Sequence, residues 1–475
     1  MQNLLKNNYI LVLSIMLICA RQSCLAQNWQ IVGGGLSASV GDLNVDTTSN
    51  ILNIGGKFKY ADTLICDGIT FWDGNSYNKY TLALNNWNCN CFGTGAIVKW
   101  QNRLFMAGDY WLYNNREEYL FEYVNNNWQP SCTMGETGGG LWSIKTINNQ
   151  LFAFGIFDSL CNKNTQSLAV YNGTDWNGFN LPSPIKYIPQ TMGPNYWIKT
   201  GEYYKGQYYF GGNFHDGNYK ELIRWDGTQW LPLQSGLLGG MAEVTCMKVY
   251  KNILYIGGLF YQADGNAANS IVAWDGQNWY NPFPQISYID YVNDLEVIND
   301  ELYISGNYII PNDNDSNMYV LARYNNCNFS VFGAKYKFPD YEKAPSCIAG
   351  FKNKIYAAVN DSFLHKSAKY LVSIPDTVSN IKSINVSPCI VNSLKEVVGY
   401  NALKIHPNPT SSIINIVDVN NQLQNVNIQI KNYLGQVVFY SSFTSQINLS
   451  SLSAGMYFLT IEDKNNKKTV KIIKE

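Results

Sequence analysis

The chain has 475 residues and a formal net charge of −1, with 15% charged and 14% aromatic side chains. So even a balance leaves no electrostatic footprint for nucleic acid or for a strongly acidic partner. Sparse charge beside plentiful Asn, Gly, Tyr and Trp suits a turn-rich, all-β extracellular protein.

Residues 1–26 read as a secretory signal peptide. Lys6 supplies the positive n-region, Tyr9 to Cys19 the apolar h-region, and Cys24-Leu25-Ala26 a small-x-small cleavage site before Gln27. The apolar run ends at Arg21, short of the ~20 residues that a spanning helix needs. Neither Arg21-Gln22-Ser23 before Cys24 nor Met16-Leu17-Ile18 before Cys19 fits a lipoprotein signal. No later segment is long and apolar enough to span a bilayer, so a soluble mature chain is expected. Two of the eleven cysteines leave with the peptide, and nine remain: Cys66, Cys89, Cys91, Cys132, Cys161, Cys246, Cys327, Cys347 and Cys389. Some should pair in an oxidising compartment, and the odd count leaves at least one free or intermolecular. Cys89-x-Cys91 lacks the second pair that a zinc site requires.

From residue 51 onward one phrase recurs: a hydrophobic run, a small or Gly pair, then an aromatic. It reads Ile51-Leu52-Asn53-Ile54-Gly55-Gly56-Lys57-Phe58, then Leu104 to Tyr110, Leu151 to Phe157, Tyr208 to Phe214, Ile253 to Phe260 and Leu302 to Tyr308. It degenerates at Ile355-Tyr356-Ala357-Ala358. A spacing of about 45 to 57 residues is the period of repeats built from small sheets.

The fifth unit shows four strands. Val244 to Tyr250 alternates, Lys251-Asn252 turns, Ile253 to Gly258 is a buried apolar run, Ser270 to Trp274 is a third strand, and Trp279 opens the fourth. Asp275-Gly276 is expected to be a two-residue hairpin, as are Asp73-Gly74, Asn172-Gly173 and Asp226-Gly227, with Asn125-Asn126 and Asn325-Asn326 as variants. The aromatic after each turn (Tyr77, Trp128, Trp176, Trp230, Trp279 or Phe329) is placed to cover the gap between sheets, and Gly at the end of the second strand lets sheets approach closely. Radial repetition of such units makes a β-propeller.

Counting gives seven blades if the ends join. The seventh unit offers strands near Ser346 to Phe351, Lys354 to Val359 and Ala368 to Ile374, and lacks a fourth. The orphan Trp29-Gln30-Ile31-Val32-Gly33-Gly34-Gly35-Leu36 matches the fourth strand and exit Trp230 to Leu237, so Trp29 to Gly33 is expected to pair near Tyr370 to Ile374. The stretch from Trp29 to Ile374 resembles the kelch-type propeller family through Gly55-Gly56, Gly211-Gly212, Gly257-Gly258 and the later pair Trp225 and Trp230. It departs in its tight Asp-Gly hairpins and in units lacking the second Gly.

Residues 375–401 follow no period and read as a linker. Beyond them, alternating runs from Ile413 to Ile473, separated by Leu434-Gly435 and Ala454-Gly455, spell a small antiparallel β-sandwich at 402–475. Four phrases resemble the type A C-terminal sorting domain of type IX secretion substrates. They are Pro407-Asn408-Pro409-Thr410, Tyr433-Leu434-Gly435-Gln436-Val437-Val438, Leu452-Ser453-Ala454-Gly455-Met456-Tyr457-Phe458-Leu459 and Lys471-Ile472-Ile473-Lys474. The resemblance implies Sec export through the periplasm, handling by the type IX machinery, and release or display at the outer surface. Pro407, Asn408, Pro409, Gly435, Gly455 and Tyr457 are its signature positions.

Catalytic motifs are sparse. The three histidines, His215, His365 and His406, share no ligand spacing, and no Gly-x-Ser-x-Gly elbow occurs. Asp73, Asp226 and Asp275 are explained by turns. Asn312-Asp313-Asn314-Asp315-Ser316-Asn317 clusters oxygen ligands, so Ca2+ at Asp313 and Asp315 is an option, although the Gly and distal Glu of an EF-hand loop are missing. Loops joining second to third strands should gather on one face, bringing Tyr110, Trp111, Arg116, Asp158, His215, Asp216, Tyr261 and Asp264 as candidate binding residues. The expected function is non-enzymatic recognition of a glycan or protein at the cell surface. The alternative is a secreted propeller glycoside hydrolase or lyase with an acid pair or metal on that face. Two convergent carboxylates in the central funnel would favour the enzyme.

Overall fold

The computed structural model describes residues 29–80, 94–113, 116–132, 140–179, 181–182, 197–216, 219–239, 242–286, 288–310, 317–337, 344–360, 363, 369–378, 382–387, 403–418, 427–432, 437–442, 444–462 and 467–475. The expected signal peptide lies outside them. Among the described residues the chain is all-β with no α-helix, and it divides into two compact units, Met1–Ile390 and Val391–Glu475.

Among the described residues, seven antiparallel sheets of four or five strands build the first unit, with two two-stranded hairpins and one three-stranded ribbon beside them. The first runs Val40–Asp46, Ile51–Gly56, Ile69–Trp72 and Tyr77–Asn78, and the fifth Glu243–Tyr250, Ile253–Leu259, Ile271–Trp274 and Trp279–Tyr280. The other sheets open on Thr94–Trp100, Gly140–Ile147, Trp197–Tyr204, Tyr288–Ile298 and Cys347–Phe351. Each opening strand packs against that of the next sheet, and Cys347–Phe351 packs back against Val40–Asp46. The seventh sheet takes its fourth strand from the N-terminal segment: Gln30 pairs with Ser373 and Ile31 with Val372, where the repeat count places the pairing.

The apolar residues follow the same cyclic order. Seven clusters of buried side chains each lie between two consecutive sheets. One joins Leu52 and Ile54 of the first sheet to Ala349 and Tyr356 of the seventh. Second strands such as Ile253–Leu259 are therefore buried on both faces, which is why they read as continuous apolar runs.

Local geometry explains the recurrent glycines. The opening strand of each of the first five sheets carries a bulge, as at Thr245, which lies between the Val244–Gly258 and Cys246–Gly257 pairs. The bulge pushes a carbonyl toward the second strand. A Cβ on Gly258 would sit 2.0 Å from the Glu243 oxygen, and one on Gly212 2.1 Å from that of Trp197. The preceding glycine faces the neighbouring sheet, where a Cβ on Gly257 would meet Val292 at 2.6 Å.

Two sequence expectations need correction. The Asp-Gly turns are not two-residue hairpins. Trp72 pairs with Tyr77, so residues 73–76 form the loop and only Gly74 has positive φ, at +103°. Asp73 Oδ1 instead accepts the amides of Asn75 and Ser76, each at 2.8 Å, and Asp226, Asp275 and Asn172 repeat this side-chain cap. Paired positive φ values occur between first and second strands, as at Lys251 and Asn252 (+45° and +58°), and also at Asn125-Asn126, whereas the Asn325-Asn326 turn is displaced to Asn326-Cys327. The second correction concerns the stretch read as a linker. Lys382–Asn385 adds a fifth strand to the sixth sheet, beside Asn328–Lys337, because Ile384 and the buried Val386 find an apolar cluster there.

The aromatics flanking the third-to-fourth turns form cross-strand pairs with ring centroids 4.8–5.1 Å apart: Trp72–Tyr77, Tyr123–Trp128, Tyr171–Trp176, Trp225–Trp230 and Trp274–Trp279. Some also bridge sheets, as where Trp274 Nε1 donates to Tyr209 Oη at 3.2 Å and Trp72 Nε1 to Tyr356 Oη at 3.1 Å.

The second unit packs a three-stranded sheet (Leu403–His406, Ile413–Asp418, Gln446–Asn448) and a four-stranded one (Val437–Ser442, Asn427–Asn432, Gly455–Glu462, Lys467–Lys474) around Ile414, Ile416, Ile428, Ile430, Leu459 and Ile461.

Deleting residues 27–36 should lower the melting temperature of the whole first unit, because it exposes the Leu371–Pro375 edge and uncovers an apolar layer. An unchanged melting curve would contradict this. Gly258→Ala should reduce unfolding free energy by about 1–3 kcal/mol in denaturant titration, since backbone must shift to admit the methyl.

Candidate functional site

The opening strands of all seven sheets line one cavity of 480 Å3, a central channel. Its charged and polar groups include Asp42, Asn44, Lys99, Lys145, Asp294 and Glu296. Strand alternation puts Asp42 and Asn44 on the face opposite Leu43, and Asp294 and Glu296 on the face opposite Leu295, and both leucines pack into apolar layers.

Asp42 and Asp294 hold equivalent posts on the first and sixth sheets. Asp42 Oδ1 accepts the Leu43 amide at 2.8 Å and Oδ2 the Ile97 amide of the second sheet at 2.9 Å. Asp294 Oδ1 accepts the Leu295 amide and Oδ2 the Ile348 amide of the seventh sheet, both at 2.8 Å. Each carboxylate thus links its own bulged strand to the next sheet. Burial pushes the Asp42 carboxyl up to about 7 against those two hydrogen bonds, with the charge of Asp294 raising it further and Lys145 lowering it. Burial likewise raises Asp294 to about 6, with Glu296 adding to the rise and the Ile348 amide and Lys145 opposing it.

Ion pairs between sheets follow the same pattern. Lys99 reaches Asp46 at 2.6 Å, Lys199 reaches Glu243 at 2.9 Å, and Lys248 reaches Glu296 at 2.9 Å. Cys246 and Cys347 lie buried beside the channel, and burial drives the Cys246 thiol to about 12, which keeps it protonated and inert. Cys66 is also a free thiol, whereas Cys161 and Cys327 are disulfide-bonded.

A second cavity, of 580 Å3, lies where the sixth, seventh and first sheets meet. Its polar lining comprises Ser39, Tyr291, Asn293, Asn307, Ser346 and Asn360; Asn293 and Ser346 also line the channel. It sits at the ends where opening strands begin and second strands finish.

The sequence-predicted binding residues occupy those same strand ends on other sheets. Tyr110 and Trp111 lie within Arg103–Tyr113, and Arg116 begins the returning strand, pairing with Tyr113, so this connection is a strand extension. His215 and Asp216 pair with Lys220 and Tyr219 in a similar extension of the fourth sheet. The side chains of these five residues fall outside the described atoms. Asp158 caps a small hairpin: its carbonyl accepts the Thr165 and Gln166 amides, and its carboxylate accepts the Ser159 hydroxyl at 3.0 Å. Asp264 has φ +50° in another turn and binds the Ser235 amide at 3.1 Å, while Tyr261 is 51% exposed. Each belongs to its own sheet's hairpin. Asp313 and Asp315 lie outside the described residues, and among those described no cluster of three metal-ligating side chains occurs. Sequence reasoning missed the channel carboxylates and the Asn-lined cavity. The only local trace was the departure of Gly306-Asn307 and Ala358-Val359-Asn360 from the Gly-Gly phrase.

In the tail, distant signature phrases meet. Asn408 Oδ1 accepts the Ile473 amide, Thr410 donates its amide to the Ile473 carbonyl, and Glu475 donates to the Thr410 carbonyl, all at 2.9 Å. Pro407 and Pro409 flank Asn408 on this edge, with cis bonds preceding both prolines. Tyr457 is buried and its hydroxyl donates to the Ser453 carbonyl at 2.9 Å, fixing the turn before Gly455. Gly435 lies outside the described residues.

Residues 404–475 match the family model of the secretion system C-terminal sorting domain. The tail is therefore a type IX sorting domain, and the protein is exported by that system to a secreted or cell-surface location. No curated protein matches the chain. Among solved structures, it is similar to the extracellular domain assigned to a hybrid two component system of B. thetaiotaomicron, with 9% identity, 91% of this chain and 67% of that chain covered, and a TM-score of 0.32. It is also similar to the extracellular domain assigned to a one component system of the same organism, with 11% identity, coverages of 92% and 81%, and a TM-score of 0.22. No helix among the described residues is long and apolar enough to cross a membrane.

The two groups of aspartates predict separate pH windows. Asp42 and Asp294 have folded-state values of about 7 and about 6, above the ~3.9 of an unfolded aspartate. Between about pH 4 and 7 the folded state holds protons that the unfolded state lacks, so stability falls as pH rises through that window. An Asp42→Asn/Asp294→Asn variant should flatten this slope in unfolding titrations at pH 5 and pH 8. Asp73 and Asp275 titrate at about 2, so their stabilising effect is lost only as pH falls below about 4.

Proposed function

We propose that the first unit is a seven-bladed, kelch-like β-propeller acting as a non-enzymatic recognition module for a glycan or protein, carried through Sec and then the type IX machinery. The cyclic packing of seven sheets and the N-terminal strand in the seventh support the propeller. The observation that carries the recognition reading is the engagement of the channel carboxylates. All four oxygens of Asp42 and Asp294 already accept backbone amides, which makes them bolts between sheets. The Asn-lined cavity then offers neutral polar surface at one end of the sheets, and the candidate binding residues on other sheets add the aromatic Tyr110, Trp111 and Tyr261 beside the charged Arg116, Asp158, Asp216 and Asp264.

One observation favours a hydrolase or lyase instead: two carboxyls in one channel with values raised to about 7 and about 6. A glycan array and a hydrolysis screen on the purified protein separate the readings. Recognition predicts retained ligand without turnover; turnover abolished by Asp42→Asn or Asp294→Asn would replace it. For export, removing residues 403–475 should trap the protein in the periplasm of its native host while the first unit keeps its melting temperature and ligand. Surface delivery of the truncated chain would overturn the export role. A folded truncation without ligand would move the binding site to the tail.

A further inference from the structure

The 580 Å3 cavity between the sixth, seventh and first sheets is lined by neutral polar and small apolar side chains. Its volume falls within the roughly 300–1,000 Å3 of small-molecule sites. The lining is neutral: three asparagines, two serines and a tyrosine, the rest aliphatic. Two of those asparagines, Asn307 and Asn360, have side-chain carbonyl oxygens that are buried and without a hydrogen-bond partner. A buried acceptor without a donor is destabilising, so a folded protein keeps one for a reason.

The surrounding wall is fixed. Asn293 Nδ2 donates to the carbonyls of Ala344 at 3.1 Å and Pro345 at 3.0 Å, which orients its amide. Tyr291 has φ +36°, a backbone state disfavoured for an aromatic residue. Its hydroxyl donates to Glu243 at 3.2 Å, and Glu243 is itself paired to Lys199. Strain held in place by a side-chain network beside a cavity is a feature of ligand sites.

We infer that this cavity binds a neutral sugar unit, whose hydroxyls meet the asparagine and serine side chains of the lining, Asn307 and Asn360 among them, while Tyr291 and the aliphatic wall cover its carbon face. Sugar hydroxyls both donate and accept, as do the asparagine and serine groups opposite them. A neutral lining supplies no counter-charge for an acidic ligand. The inference rests on the recognition reading and assigns it a ligand class and a place.

Ligand-observed NMR and titration calorimetry on the full secreted chain provide the test, with methyl glycosides of glucose, galactose, mannose and N-acetylglucosamine as probes and glucuronic acid as the charged comparison. At least one neutral glycoside should bind, and at least tenfold more tightly than glucuronic acid. Asn307→Ala and Asn360→Ala should each weaken it at least tenfold, with melting temperatures unchanged or raised, because each removes an unpaired buried acceptor. A drop in melting temperature with binding unchanged would make the asparagines structural and overturn the assignment. No glycoside bound, or glucuronic acid bound equally well, would also overturn it. A glycan array that stays positive in those cases leaves the recognition reading standing at another site; an array and a surface-protein screen that are both blank overturn the two together.

Discussion

The structure depends on the apolar layers between consecutive sheets. Each sheet buries both faces, so none is stable alone, and the first and seventh must cover each other. Seven layers require seven neighbours in cyclic order, and the layer holding Leu52, Ile54, Ala349 and Tyr356 completes it. The strand Gln30–Ile31 acts at that junction, far from its neighbours in sequence. Edge hydrogen bonds alone would not require this arrangement; the double-sided burial of the second strands does.

Close approach of the sheets imposes local requirements. Bulges in the opening strands press carbonyls onto the second strands, and glycine is the residue that admits them. In the channel, Asp42 and Asp294 accept amides from the opening strand of the adjacent sheet. Burial raises both carboxyls, so the groups that bolt the sheets together also make the channel sensitive to pH. A raised carboxyl in a channel is thus accounted for by architecture before chemistry is invoked.

The tail solves a different problem, a small core closed by its ends. Phrases more than sixty residues apart, at Asn408 and Ile473, are joined by side-chain and backbone hydrogen bonds, so the signature records one structural edge. Six large apolar residues on its described strands, Ile413, Val437, Val438, Tyr440, Phe458 and Ile473, remain exposed.

The sequence by itself determined what short-range physics controls. Hydrophobic period and turn residues gave the strand runs, the seven repeats, the partner of the N-terminal strand and the tail strands within one or two residues, as for Ile413–Asp418 and Gln446–Asn448. It misjudged the Asp-Gly turns, because an Asp side chain that binds its own loop amides looks in sequence like a φ > 0 turn residue. It also missed Lys382–Asn385, whose pairing depends on an open edge fifty residues earlier. The channel and the Asn-lined cavity were decided by tertiary structure alone. Asp42 with Asp294, and Ser39 with Asn307 and Asn360, come together only when the first sheet meets the sixth and seventh, and no local pattern encodes which side chains a cyclic packing will bring face to face.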